Sequence, residues 1–526
     1  KRLVAAVNSV PPALNQMVAA AAGSAPGMEA MATLVHSGFT IVDHDGSIQP
    51  LLAESVPSAE NGLWKLLPDG RMETTWRIRD GVQWHDGTPF TSADVLFTYQ
   101  VEEDNDLKAV FGHGYYRNVA AIDAPDPRTI VVTWRQTFIY ANLLFGYDGD
   151  RSLLPLPRHL LQEAYDRHDV ESFLALPYWT AGFVGTGPYK VKDWSMDSNA
   201  VFQANDRYVL GRPKIDEIEV KFIRDVNTLT ANVLAGTVEL TLGRSVSLEE
   251  ASDMVKKLEG GKMDVAPTGA LAAFPQFINT NPAVANVQFR RALLHGVDRQ
   301  QLVDTFSGGL SSIAHTFINP LEQDYKDVDP SVVKYAYDLR TAAQLMEGLG
   351  YAKAPDGLYN DSSGQRLAVE ARGNYKPGFA VADEWKRFGV EVDAFAVPPQ
   401  RAEDVEYRST FPALEFVVRG NFRWDLNRVL GSNQVPLAEN RWQGGNRGRY
   451  QNADLDGTIA RYAATIPLSE RNALLSQIVQ HVSDQVVILF LFNNLEPTIF
   501  TKRVTNVHAK FERSTQAWNV TQWDLV

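Results

Sequence analysis

The chain has 526 residues, 44% of them hydrophobic and 10% aromatic, which is more apolar material than one core uses and points to at least two domains rather than a disordered polymer. Its 63 acidic and 50 basic residues give a formal net charge of −13; this disfavours a nucleic-acid partner, since phosphate binding needs a basic surface, and fits a solvated acidic exterior. The sequence holds no cysteine, which excludes disulfides, thiolate metal sites and thiol nucleophiles.

In chain order, residues 1–7 are too short an apolar stretch for a secretory hydrophobic region and predict a first strand. Residues 75–78 alternate with the period of a strand, Asp80-Gly81 and Asp86-Gly87 are turn dipeptides, and Thr91 or Ser92 can cap a helix starting near Ala93. Gly182, Gly185 and Gly187 have the wrong spacing for a dinucleotide fingerprint, and Pro188 follows where a helix should start, so they read as a turn into a strand. Residues 287–306 and 468–487 carry apolar side chains at helical spacing. The strongly apolar run 486–492 predicts a buried strand and falls far short of the roughly 20 residues needed to span a bilayer. Mixed elements without strict βαβ alternation favour two α/β lobes over a barrel.

Enzyme motifs are missing from the sequence. It has no His-Glu-x-x-His helix, no phosphate loop ending in Gly-Lys-Ser/Thr and no Gly-x-Ser-x-Gly elbow. The 10 histidines are scattered; His36 and His44 form the closest suggestive pair and His85 adjoins Asp86, yet a metal needs several converging ligands, so neither metal nor cofactor is expected. With 63 acidic residues, accidental carboxylate pairs are unavoidable and carry no information about glycoside hydrolysis.

Leu51-Leu52-Ala53-Glu54-Ser55, followed by the segment from Thr75 through Trp84-His85-Asp86-Gly87-Thr88-Pro89-Phe90 to Val95, resembles the signature of the peptide/nickel-type solute-binding proteins that feed ABC importers. Further similar segments follow in order: Asp123-Ala124-Pro125-Asp126-Pro127, Gly185-Thr186-Gly187-Pro188-Tyr189, Asn205-Asp206-Arg207-Tyr208, Leu234-Ala235-Gly236-Thr237, Phe277-Ile278-Asn279-Thr280 and Phe289-Arg290-Arg291-Ala292. The resemblance implies an α/β fold, a two-lobe periplasmic-binding-protein clamshell with an additional subdomain in the first lobe. Lobe I would comprise 1–45, 181–272 and 495–526, the extra subdomain 46–180, and lobe II 273–494. It further implies a monomeric, non-enzymatic protein that captures a peptide, or a carboxylate-bearing peptide or amino-acid derivative, between two lobes and delivers it to an ABC permease in the membrane. Such a protein is periplasmic or otherwise extracytoplasmic, with its signal peptide removed and a lipid anchor in the native precursor left open.

The same resemblance suggests where ligand would bind. In the family, the strand corresponding to 416–419 ends in a cleft-lining loop with an aromatic residue and an Asp-Pro; Trp424 and Asp425 keep the aromatic and the acid, while Leu426 replaces the proline. Where peptide binders present an aspartate to the ligand's α-ammonium, this sequence has Phe422 and Arg423, and arginine favours a carboxylate or phosphate. The candidate ligand residues are Phe39, Tyr116, Arg151, Arg419, Asn421, Arg423, Trp424 and Asp425; Arg151 lies near a position where the nickel-binding branch uses an arginine. The arginine-rich loop 441–450 resembles a cleft-rim segment. The simpler readings are that the arginines pair with acids and that the aromatics fill cores. A secreted hydrolase acting on a saccharide or ester, and a ligand-presenting receptor or chaperone of the same fold, remain alternative functions.

Overall fold

Strand Arg2–Val7 has its inward residues Leu3, Ala5 and Val7 fully buried and lies inside the first sheet. The computed structural model describes residues 1–526 apart from 23–25, 112–114, 148–153, 323, 402–403, 512–513 and the side chains of 20–22. The chain divides into two units, the first formed by Lys1–Ala266 with Glu496–Val526 and the second by Pro267–Leu495.

In the first unit Arg2–Val7 runs parallel to Glu217–Phe222 on one side and to Leu240–Thr241 on the other. Asn199–Ala204 and Tyr189–Ser195 extend the sheet antiparallel beyond Glu217–Phe222, and on the other side of Arg2–Val7 Leu240 pairs antiparallel with Phe500. Helices Val226–Leu234 and Leu248–Lys257 bury Leu229, Val233, Ala251 and Met254 against Ala6 and Ile499. The second of these helices begins with a capping box of Ser247 and Glu250 and ends with Lys256 and Lys257, both of which suit the helix dipole.

A separate four-stranded antiparallel sheet, ordered Trp64–Leu66, Met72–Arg77, Thr129–Trp134, Val119–Asp126, belongs to the same unit. Its alternation is clear in Met72–Arg77, where Met72, Thr74 and Trp76 are buried and Trp134 Nε1 donates to Thr74 Oγ1 at 2.9 Å. Helix Ser92–Glu103 starts where the sequence indicates, with Thr91 as its cap and Asp94 reaching back to the Thr91 amide at 2.9 Å.

The second unit holds parallel strands Glu391–Phe395, Ala368–Arg372 and Leu414–Arg419, with Lys262–Pro275 pairing antiparallel to the last of them through Ala270↔Arg419 to Pro275↔Leu414. Helices Val287–His295, Leu339–Gly348 and Lys376–Phe388 pack Phe289, Leu293, Met346 and Trp385 around Phe416 and Leu491. The helical pattern of 287–306 is interrupted, because Gly296 ends the first helix and the Asp298 carboxylate caps a second, Arg299–Ser307. The apolar run 486–492 enters its strand only at Leu489, and Val486, with φ of 44°, turns the chain out of helix Leu468–Asp484.

Both passages of the chain between units fall inside strands, in Lys262–Pro275 and in Leu489–Phe500. Just within the second unit, Asn494 Nδ2 donates to Thr268 Oγ1 at 2.8 Å and ties the two strands together.

Candidate functional site

His85 of the signature region and His36 have structural work. His85 accepts from the Gly185 amide at Nδ1 (3.1 Å) and donates from Nε2 to the Gly187 carbonyl (3.1 Å), while its own amide donates to the Gly185 carbonyl at 2.9 Å. His36 donates from Nε2 to the Pro155 carbonyl at 2.8 Å and faces Thr186 with Nδ1. Burial drives the pKa of His36 down to about 4 and that of His85 to about 3, so both rings are neutral. A Cβ on Gly185 or Gly187 would overlap the backbone of Val35 and His36, which explains the glycines without any phosphate. His36 is thus committed to Pro155 and Thr186, and His44 is an exposed residue paired with Asp45.

Phe39 and Tyr116 are buried in the first unit. The ring of Phe39 lies 5.5 Å from Trp76 and 5.2 Å from Phe145, and Tyr116 stacks on Tyr99 at 5.8 Å. Arg151 lies outside the described residues.

The remaining candidates lie together at the end of strand Leu414–Arg419 in the second unit. Asn421 donates to Glu322 at 2.5 Å and accepts from the Arg423 amide at 2.9 Å, and Phe422 packs on Phe317 with ring centroids 4.3 Å apart. Arg423 is buried, forms an ion pair with Asp324, lies 3.7 Å from Glu322 and stacks 4.4 Å over the ring of Trp424. Burial raises the Glu322 carboxyl and the neighbouring Arg423 opposes that rise. These contacts tie the loop after the strand to Phe317, Glu322 and Asp324, and they occupy Arg423 within the protein.

Around this lock lies a group of arginines. Arg372, fully buried between the rings of Tyr407 and Phe411, and Arg408 both face Glu415, with Arg408 Nη2 at 2.8 Å and Arg372 Nε at 3.8 Å from the same carboxylate oxygen. Arg428 lies 3.5 Å from Asp425. Among the described residues, neither Arg419 nor Arg447 has a carboxylate within ion-pair distance. Burial lowers the pKa of Arg419, as do the charges of Arg428 and Arg447, with Asp425 opposing. Desolvation likewise lowers Arg447, joined by Arg408, Arg428 and Arg372 and opposed by Glu415. Guanidinium groups stay protonated under such shifts, so this strand end concentrates positive charge. Arg447 was missing from the sequence-derived candidates although its loop stood out; Arg372, Arg408 and Glu415 gave no signal, because their pairing depends on the alignment of separate strands.

The chain thus forms two α/β units of mixed strand direction, passes between them within two strands, and carries a positively charged strand end in the second. The fold is shared over 99% of this chain and 99% of NikZ from Campylobacter jejuni in complex with Ni(L-His) (TM-score 0.74, 20% identity), and over 100% of this chain and 99% of AppA from Bacillus subtilis in complex with a nonapeptide (TM-score 0.71, 21% identity). Residues 47–428 match the bacterial extracellular solute-binding proteins, family 5 (middle), and the chain belongs to that family. In sequence it is 23% identical over 505 residues to the oligopeptide-binding protein AppA of Bacillus subtilis, covering 94% of this chain and 86% of that one. An ABC transporter peptide-binding protein of Brucella ovis is 24% identical over 315 residues, which span 60% of this chain and about half, 54%, of the relative's length.

Proposed function

We propose that this protein is the substrate-binding component of an ABC importer, acting outside the cytoplasm to capture a carboxylate-bearing solute and hand it to a membrane permease. Family membership supports the binding role. The observation that carries the ligand class is the pair Arg419 and Arg447, two guanidinium groups beside Arg428 with no carboxylate partner among the described residues. Arg423, the sequence's first suggestion for this role, is held by Asp324 and Glu322, so the ligand-facing charge passes to Arg419 and Arg447. The nonapeptide of AppA and the histidine of NikZ both bring a carboxylate, a feature common to two otherwise different cargoes. Binding requires no covalent step: preferential contact with one conformational state shifts the population toward it, and the permease reads that state.

Native mass spectrometry of the purified protein, before and after unfolding and refolding, tests the proposal. A retained small acid that is lost on refolding and rebinds when added back supports it. Absence of any adduct, together with no thermal shift across acidic peptides and amino-acid conjugates, overturns it.

A further inference from the structure

The hairpin turn Asp43-His44-Asp45-Gly46 in the first unit gathers metal-binding chemistry that the solute site does not use. One donor atom each from Asp43, His44 and Asp45 lies within 4.8 Å of the others. Asp43 is buried and its carboxylate is occupied: Oδ1 accepts from the amides of Asp45 and Ser47, both at 3.0 Å, and Oδ2 from Gln49 Nε2 at 2.8 Å. It shapes the turn, with Gly46 at φ of 85° closing it. His44 and Asp45 are exposed, and His44 Nε2 stands 3.0 Å from Asp45 Oδ1, so the two donors lie side by side.

A third exposed donor comes from the far end of the chain. The ring of His508 lies 6.5 Å from that of His44, centroid to centroid. Two imidazoles on one tetrahedral ion, with metal–nitrogen bonds of about 2.0–2.1 Å, need their centroids roughly an ångström closer. His508 is not among the donors already within 4.8 Å of one another, and rotation of its exposed side chain is the movement that would close the gap. The ring of His44 is also stacked on Trp518, with centroids 5.3 Å apart, and Trp518 Nε1 donates to the Ala509 carbonyl at 3.2 Å.

We propose that His44, Asp45 and His508 form a peripheral site for a divalent transition metal, with Asp43 holding the turn and solvent filling the fourth position. Two imidazoles and one carboxylate select zinc, nickel or copper over calcium or magnesium, which prefer all-oxygen shells. The bound ion would staple the first hairpin to the C-terminal segment, which already meet where Ser514 Oγ donates to the Val42 carbonyl.

The test is calorimetric titration of the chelator-treated full chain with ZnCl2, using MgCl2 and CaCl2 as controls, alongside thermal melts with and without zinc. The expected result is one saturable equivalent of zinc, no magnesium or calcium binding, and a melting temperature raised by zinc. His44→Ala and His508→Ala should each weaken zinc binding about ten-fold or more and remove the thermal shift, while Arg419→Ala leaves both intact. No saturable zinc binding would overturn the proposal. So would binding that persists unchanged in both histidine variants, or that responds to Arg419→Ala alone, which would place the ion elsewhere. Both histidines are exposed, so far-UV circular dichroism of the variants should match the parent.

Discussion

Gly269 and Arg419 approach so closely that a Cβ on Gly269 would overlap the Arg419 carbonyl oxygen and crowd the Cα of Gly420. Gly269 also has φ of 101°, a conformation that side chains resist. Gly269→Ala should therefore cost about 1–3 kcal/mol, read as a lower urea midpoint, and should also weaken ligand binding because it displaces the strand end that carries Arg419. An unchanged midpoint would mean that the two strands can separate without loss.

Arg419→Ala and Arg447→Ala should act on affinity and leave stability almost unchanged. Each removes a charge that repels its neighbours and has no carboxylate partner among the described residues. Loss of one charge-assisted hydrogen-bonding group costs about 1.5–3 kcal/mol, roughly ten- to hundred-fold in dissociation constant for an acidic ligand. Calorimetry with the solute recovered by mass spectrometry decides it; equal affinity in both variants would remove these arginines from the site.

Arg423→Ala should behave in the opposite way. It strands the buried Glu322 and leaves Asp324 without its partner, and breaking a buried pair from one side costs about 3–5 kcal/mol. The check is urea unfolding of the ligand-free protein. If Arg423→Ala instead preserved stability and abolished binding, Arg423 would be a ligand residue after all.

Stability should fall with acidification below pH 6.5 because of His36 and His85. The unfolded chain takes up protons near the ordinary histidine pKa of about 6.5, whereas burial keeps His36 neutral in the folded state to about 4 and His85 to about 3. More protons are bound unfolded than folded in that window, so their contribution is complete above pH 6.5 and drains away as pH drops toward 4. Denaturant midpoints measured from pH 7.5 to 4.5 should decline more steeply for the parent than for His85→Gln, which starts less stable. Parallel slopes in the two proteins would contradict the buried, neutral ring.

Much of the frame was legible because it depends on local chemistry. The cap at Thr91 and the turn before Tyr189 are set by residues adjacent in sequence and form where the pattern places them, while the alternation read over 75–78 belongs to a strand that starts earlier and ends one residue sooner, Met72–Arg77. The helix break at Gly296-Val297-Asp298 was overlooked although its capping residues are visible, because the apolar spacing runs straight through it. The site was harder to read. That Arg423 is neutralised depends on Asp324, 99 residues away, and the pairing of Arg372 with Glu415 depends on strand register, which no single segment encodes.

The contact of His85 with Gly185 and Gly187 has a consequence for how such chains diversify. The segments that announce the family serve to clasp one part of the scaffold to another, and the arginines proposed to choose the cargo sit in a different stretch of polypeptide. Lineage and diet are thus recorded in separate passages: a few exchanges between 419 and 447 could retrain the protein on a new nutrient while every recognisable signature stayed in place.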